Sequence, residues 1–109
     1  MPLKSILSNR LLLTFATIKV NPIQRIFPQG LSPAIGPYSP VTISNNTVYI
    51  SGQLPLNSQG VIESTEIKQQ AHQVMKNLQI ALTAADCLFS DVAKTTILLT
   101  DMRNFSIVN

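Results

Sequence analysis

Two short motifs of the chain carry the residues best suited to chemistry. Gly36 and Pro37 predict a turn that presents Tyr38 in a fixed direction, because proline locks its own φ and glycine adopts conformations that other residues avoid. Ser51 and Gly52 then close a predicted strand with a residue that has no side chain. Such a glycine often marks the close approach of a ligand or of another backbone. The motifs therefore predict a rigid segment that holds Tyr38 and Gly52 in place for chemistry.

The motifs also have a plain structural alternative, in which the tyrosine packs behind its turn and the Ser-Gly pair simply ends a strand. For two other reactive side chains the structural interpretation is the stronger one. His72 is expected on a polar helix face with Lys68 and Lys76, which is typical of a solvated histidine. Cys87 is the only cysteine and has no histidine near it in the sequence, so we expect a small half-buried residue rather than a nucleophile.

A β-hairpin is predicted between the two motifs. Residues 41–43 and 48–51 are β-branched and aromatic runs separated by Ser-Asn-Asn-Thr, and asparagine tolerates the positive φ that tight hairpin turns need. Residues 23–27 form a shorter apolar run before Pro28 and are expected to be an edge strand, where a following proline does least harm.

From Ser64 or Thr65 onward the hydrophobic period changes to that of an α-helix. Either residue can cap the first free amide groups, and Glu66 in the first turn suits the positive end of the helix dipole. The helix is expected to end at Asp86 and Cys87, without the usual glycine. Its apolar stripe repeats at intervals of three and four residues and consists of Ile67, Ala71, Val74, Leu78, Leu82 and Ala85.

A further strand is predicted over residues 92–99, where both faces are largely apolar apart from Lys94 and the threonines. A strand of this kind is expected to be covered on both sides. A hairpin, a helix and a returning strand make an α+β or α/β unit with the helix packed on one face of the sheet. Since the chain contains no cover for the second face, we expect oligomerisation to supply one.

The composition is that of one globular domain. Of the 109 residues, 45% are hydrophobic and 12% are charged, which argues against disorder. The net charge is +3, but half of the basic residues lie in the first quarter of the chain, and no acidic residue occurs before Glu63. From Ile26 onward four basic residues face five acidic ones, a net charge of −1. This part has no electrostatic footprint for a phosphate backbone, so a nucleic acid partner is not expected.

The first twenty residues have the composition of a mitochondrial presequence. They combine basic residues, hydroxyl side chains and an apolar run, without any acidic residue. A secretory signal and a plain N-terminal extension are the alternatives, whereas the run is much shorter than the ~20 apolar residues of a membrane span. We therefore expect a targeting segment over residues 1–20, a domain over residues 21–109, no membrane partner and a location in the mitochondrial matrix, with the cytoplasm as the alternative.

Four motifs in one order give the chain a resemblance to a known family. They are Ile-Gly-Pro-Tyr-Ser (35–39), Val-Tyr-Ile-Ser-Gly-Gln (48–53), Val-Ala-Lys-Thr-Thr-Ile-Leu-Leu (92–99) and Asp-Met-Arg-Asn-Phe-Ser-Ile-Val-Asn (101–109). Together they resemble the RidA (YjgF) family of reactive intermediate, or 2-iminobutanoate/2-iminopropanoate, deaminases, and in particular its animal members. The similarity runs from about residue 23 to residue 109 and leaves only the leader unexplained.

The resemblance implies a chorismate-mutase-like (YjgF-like) α+β fold, assembled as a homotrimer with a ligand pocket in each cleft between neighbouring subunits. The implied reaction is the hydrolysis of enamines and imines, released by PLP-dependent dehydratases, to a 2-oxo acid and ammonia. No cofactor and no metal are implied. The small-molecule partner implied is accordingly an imine or a 2-oxo acid.

The resemblance also implies which residues form the substrate site. Tyr38 would be the aromatic residue of the pocket, Ser51 and Gly52 would lie along the substrate carboxylate, and Asn109 would close a motif that lines the same cleft. An imine carbon needs a placed water and a fixed substrate. Both are matters of orientation and hydrogen bonding rather than of a protein nucleophile.

The family continues beyond the residue that matches Asn109. Its last helix and strands contain a Pro-Ala-Arg segment, whose arginine clamps the substrate carboxylate, and an acidic residue that positions the water. We therefore expect a chain ending at Asn109 to lack its final helix and strands, to be incomplete at the C-terminus, to hold no catalytic residue and to be impaired in deamination. Arg103 is not expected to replace the clamp, because it lies in an Asp-Met-Arg-Asn turn where the family accepts other polar residues.

Two alternative functions stay open. One is an endoribonuclease or translation inhibitor, an activity also attributed to family members, although a body of net charge −1 gives it little physical support. The other is a non-catalytic ligand-binding subunit of a trimer, which would keep the cleft wall and lack the clamp.

A smaller departure from the family lies at the end of the predicted helix. Asp86 stands where a glycine is usual. We expect this residue to lose the easy left-handed stop of the helix, at a cost of ~1 kcal/mol, because glycine alone enters that conformation without a steric penalty.

Overall fold

The computed structural model describes residues 22–109. The predicted targeting segment over residues 1–20 lies outside the described residues. The described part is a small antiparallel sheet with helices, which makes it α+β. Its elements follow in the order β1 (Gln24–Ile26), β2 (Val41–Ser44), β3 (Thr47–Ile50), α1 (Ile67–Ala84), a 3₁₀ turn (Phe89–Asp91), a second 3₁₀ turn (Met102–Asn104) and α2 (Phe105–Val108).

The three strands pair in the order β1-β2-β3. The hairpin of β2 and β3 is confirmed, and Asn45 enters its turn with the positive φ, +54°, that asparagine tolerates. β1 pairs with the other side of β2, which confirms the edge strand predicted over residues 23–27. Val41 lies opposite Ile26 on one side and Ile50 on the other, and it is fully buried. The buried point of the sheet is therefore the first residue of β2.

Helix α1 contributes the other half of the core. Ala81 and Leu82 are buried and, with Val41, form the hydrophobic core of the described residues. The other members of the predicted apolar stripe are half-buried, whereas Lys68 and Lys76 are exposed. The stripe is therefore confirmed as the inward face of the helix.

The helix begins after its predicted cap. Glu66 is the N-cap residue, its side chain makes no capping hydrogen bond, and the first turn contains no acidic residue. The Ser64 hydroxyl accepts a hydrogen bond from the Glu66 N–H at 3.1 Å, and the Ser64 carbonyl accepts one from the side-chain amide of Gln70 at 2.9 Å. The prediction of a Ser64 or Thr65 cap is therefore wrong, because Ser64 serves a turn before the helix instead.

The end of the helix contradicts the expected loss of a left-handed stop. Asp86 adopts a φ of +57°. Its N–H donates to the Thr83 carbonyl at 3.0 Å, and the Cys87 N–H donates to the Leu82 carbonyl at 2.9 Å. These two bonds are the Schellman arrangement, in which the left-handed residue is usually glycine. The backbone thus imposes the same stop on an aspartate, which tolerates this region better than most residues.

The strand predicted over residues 92–99 is wrong for the described chain. The segment makes no ladder with β1, β2 or β3, and all its residues except Val92 and Leu99 are exposed. Residue types that favour strands cannot create one without a partner for the backbone N–H and C=O groups. Within the described residues, no other element covers either face of this segment.

The aspartate at the helix end gives a stability prediction. Replacing Asp86 by glycine should raise the free energy of unfolding by up to about 1 kcal/mol, because glycine carries no Cβ to clash at a φ of +57°. For a domain of this size that corresponds to a thermal midpoint about 4–8 °C higher by circular dichroism. Asp86→Ala is the matched control and should give no such gain. An equal rise in both variants would contradict the steric explanation.

Candidate functional site

The first motif forms the predicted turn. Gly36 has a φ of +119°, and the Tyr38 N–H donates to the Gly36 carbonyl at 3.0 Å across Pro37. Glycine is needed at this φ, which L-residues rarely adopt. The turn leaves Tyr38 about half exposed.

The second motif continues the hairpin beyond its last ladder pair. The Ser51 N–H donates to the Pro40 carbonyl at 3.0 Å, and the side-chain amide of Gln53 donates to the Ser51 carbonyl at 3.0 Å. A Cβ added at Gly52 would meet no atom within 4 Å. Nothing in the described chain therefore requires a glycine at position 52, and the space in front of it is open.

Three of the four predicted substrate residues line one depression, which we call the wall cavity. It has a volume of about 40 Å³. Such a volume is far below the ~300–1,000 Å³ of ligand pockets. The lining consists of Leu31, Ser32, Tyr38, Pro40, Ser51, Gly52, Gln53, Leu54, Leu56 and Asn77. The described chain thus forms a shallow depression here and does not enclose a ligand.

Asn109 is not brought to this cavity. It follows helix α2, is exposed, and donates its N–H to the Phe105 carbonyl at 2.8 Å. Its predicted place beside Tyr38 and Gly52 stays a prediction.

Asn77 is the lining residue that the sequence patterns did not reveal. It is 5% exposed, although it is a polar residue. Its side-chain amide donates to the carbonyls of Leu54 and Leu56, each at 2.9 Å, and its oxygen accepts from the side-chain amide of Gln73 at 3.0 Å. The one available signal was the Gln73–Asn77 spacing of four residues, which places two amides together on a helix.

A second and larger depression, the polar cavity, lies beside the first half of helix α1. Its volume is about 180 Å³ and its lining is Pro55, Glu63, Ser64, Gln69, Gln70, His72, Gln73 and Lys76. Glu63 is held there by the Asn57 side-chain amide, which donates to the Glu63 carboxylate at 2.8 Å. The polar cavity contains none of the predicted substrate residues.

The guanidinium of Arg103 is engaged elsewhere. It forms an ion pair with Asp101 at 2.7 Å, and the Arg103 backbone N–H donates to the same carboxylate at 2.9 Å. The Arg103 side chain is 91% exposed. Neither Arg103 nor Arg25 of β1 lines the wall cavity, so within the single described chain no arginine is placed to clamp a carboxylate there.

The same pair shifts two ionisation equilibria. The guanidinium, and after it the backbone N–H of Arg103, hold the pKa of the Asp101 carboxyl below its ordinary value of 3.8. The Asp101 carboxylate in turn raises the pKa of Arg103. Both side chains are therefore charged at neutral pH.

Residues 22–109 lack two features, a cluster of metal ligands and a helix that could span a membrane. This range contains no group of three or more histidine, cysteine, aspartate or glutamate residues that could hold a metal ion. None of its helices is long and apolar enough to cross a bilayer.

Comparison with known proteins identifies the family. The sequence model of the Endoribonuclease L-PSP family matches residues 30–109. The human 2-iminobutanoate/2-iminopropanoate deaminase is 42% identical over 89 residues, which cover 80% of this chain and 65% of the human protein. The chain belongs to the RidA/YjgF (L-PSP) family. The resemblance of the four motifs is thereby confirmed.

Solved structures support the fold of this RidA-family chain. The RidA of an Antarctic Psychrobacter matches with a TM-score of 0.73 and 35% identity, covering 78% of this chain and 69% of that one. The YjgF gene product of E. coli matches with a TM-score of 0.73 and 30% identity, covering 78% and 67%. The YjgF-like fold is thus shown for the matched part, while the chain spans 65% of the length of its human relative.

The Asp101–Arg103 pair of this family member gives a pH prediction. Because folding lowers the Asp101 pKa, the pair stabilises the chain at pH values above the ordinary carboxyl pKa, and this contribution is lost as the pH falls through the lowered value. NMR titration should give an Asp101 pKa below 3.8 that returns toward it in Arg103→Gln. Lys94→Gln removes a basic residue outside the pair and serves as the control. Equal Asp101 pKa values with and without Arg103 would refute the pairing.

Proposed function

We propose that this chain takes part in the reaction after which its human relative is named, the deamination of 2-iminobutanoate and 2-iminopropanoate. One water adds to the C=N carbon, the C–N bond breaks, and the products are a 2-oxo acid and ammonia. The observation that carries the proposal is the wall cavity, because Tyr38, Ser51 and Gly52 line it together in a chain 42% identical to that enzyme.

The wall offers orientation rather than a nucleophile. The Gly52 N–H makes no hydrogen bond to another described residue, so it can donate to a substrate carboxylate along the open strand end. Tyr38 would bound the substrate on the side of its turn. Holding the imine in one orientation removes entropy that the reaction would otherwise have to lose in its transition state.

The proposed partner of this wall is a second copy of the chain in a homotrimer. A depression of about 40 Å³ cannot enclose an imine alone, and a cleft between subunits would supply the opposite wall. Exposed apolar side chains support such an assembly, among them Tyr49 on the edge strand β3 and Leu98, which is 90% exposed.

The carboxylate clamp and the residue that positions the water are proposed to come from outside the wall cavity. Both arginines of the described residues are placed elsewhere, and no carboxylate lines the wall cavity. We therefore propose that the 109 residues alone bind a 2-oxo acid weakly and deaminate imines poorly. An endoribonuclease, the activity in the name of the matching family model, is a second candidate.

The leader is proposed to direct the RidA-like domain to the mitochondrial matrix, with the cytoplasm as the alternative. A fluorescent protein fused after residue 20 should then accumulate in mitochondria. The same fusion with Lys4, Arg10 and Lys19 replaced by glutamate should stay in the cytoplasm, because presequences depend on their basic residues. Cytoplasmic fluorescence from the unaltered leader would contradict the proposed location.

The deamination proposal can be tested with imines generated in situ by a PLP-dependent dehydratase, following ammonia and 2-oxo acid release. We expect kcat/KM about 10- to 100-fold below that of the human relative, since no arginine lines the wall cavity to supply a charge-assisted contact, which is worth about 1.5–3 kcal/mol. Gly52→Val should lower hydrolysis and 2-oxobutanoate binding further without lowering the thermal midpoint, because a Cβ there meets no protein atom.

Each outcome of this assay separates the candidates. Hydrolysis equal to that of the human enzyme would contradict the proposed weak activity of the 109 residues. Binding of 2-oxobutanoate without any hydrolysis would favour the non-catalytic subunit. Cleavage of RNA that weakens steeply with salt, without 2-oxobutanoate binding, would favour the endoribonuclease. Light scattering on the same samples should give the mass of three chains.

A further inference from the structure

We infer that Asn77 is a positioning residue for the strand end that would receive the substrate carboxylate, an inference that rests on the proposed function of the wall cavity. Asn77 makes none of the predicted substrate contacts itself. Its two donated hydrogen bonds fix the segment that follows Gly52, and through that segment they fix the wall.

The hydrogen bonds of Asn77 tie the middle of helix α1 to a distant segment. The carbonyls of Leu54 and Leu56 belong to residues 23 and 21 positions earlier in the sequence, and both accept from the same side-chain nitrogen at 2.9 Å. The Leu56 N–H also donates to the Leu54 carbonyl at 2.8 Å. The segment 54–56 is therefore a tight turn anchored on one buried amide.

A second amide holds the first in orientation. The Gln73 side-chain nitrogen donates to the Asn77 oxygen at 3.0 Å, which leaves the Asn77 nitrogen directed at the two carbonyls. Gln73 and Pro55 line the polar cavity, while Leu54 and Leu56 line the wall cavity. The segment 54–56 is thus the partition between the two cavities, and the amide pair holds it in place.

The anchored segment is continuous with the candidate substrate residues. Gln53 precedes Leu54, and its side-chain amide donates to the Ser51 carbonyl at 3.0 Å. The Ser51 N–H is bonded in turn to the Pro40 carbonyl at 3.0 Å. Gly52 lies between these fixed points without a hydrogen bond of its own to the described residues. A shift of Leu54 would therefore move the Gly52 N–H, the donor proposed for the carboxylate.

The test compares amide NMR spectra of the 109-residue chain and its variants, free and titrated with 2-oxobutanoate. Asn77→Leu keeps the approximate shape and removes both donated bonds. It should displace the Gly52 and Gln53 peaks before any ligand is added and weaken 2-oxobutanoate binding at least tenfold. Leu82→Ala loosens the core without removing a hydrogen bond of the segment. It should lower the thermal midpoint, leave the Gly52 and Gln53 peaks at their wild-type positions and change the affinity by less than twofold.

The possible results distinguish a failure of the positioning role of Asn77 from a failure of the proposed function. Wild-type positions of the Gly52 and Gln53 peaks in folded Asn77→Leu would overturn the inference, and so would an equal displacement in Leu82→Ala. A wild-type chain that does not bind 2-oxobutanoate would refute the proposed function, while displaced peaks in Asn77→Leu would still support the positioning role. If Asn77→Leu does not fold, Gln73→Met decides: it should displace the Gly52 and Gln53 peaks, because it releases the Asn77 oxygen, and wild-type peak positions in this variant would overturn the inference.

Discussion

The satisfied side-chain amide of Asn77 is the interaction on which the arrangement of the wall depends. A buried donor or acceptor without a partner costs about 1–3 kcal/mol, so an amide that is 5% exposed must bond at both ends. Here the partners are two backbone carbonyls and the amide of Gln73. In the described residues no buried side-chain nitrogen or oxygen lacks a partner. Asn77 thereby ties helix α1 to the segment beside the candidate site.

The same wall is hydrogen-bonded on both sides of Gly52 and open in front. The Ser51–Pro40 hydrogen bond closes the open end of the hairpin, yet a Cβ at Gly52 would meet nothing. Orientation of an imine requires contacts on more than one side, since a substrate held by a single wall keeps most of its rotational freedom. An open wall of this kind supports the proposal that another subunit supplies the opposite wall.

The sequence allowed the hairpin, the edge strand and the helix to be predicted because their signals are local. The meeting of the two motifs also follows from the hairpin: Pro40 precedes β2 and Ser51 follows β3, so antiparallel pairing brings them side by side. Asn77 could not be predicted in the same way. Its partners are carbonyl groups, which every residue carries, so the residue types of segment 54–56 give no sign that they accept its hydrogen bonds.

The wrong predictions about Asp86 and residues 92–99 have a common cause. Each assumed that the type of a residue is enough to determine its conformation. Asp86 adopts the left-handed conformation because the hydrogen bonds at the helix end require it. An aspartate at this position changes only the energetic cost of that conformation. Residues 92–99 have strand-forming side chains but lack the backbone partners that a strand needs. Their apolar faces are nevertheless costly to leave in water, and Leu98 is 90% exposed in the single chain. The pattern therefore still indicates burial, which supports a covering surface contributed from outside the described residues.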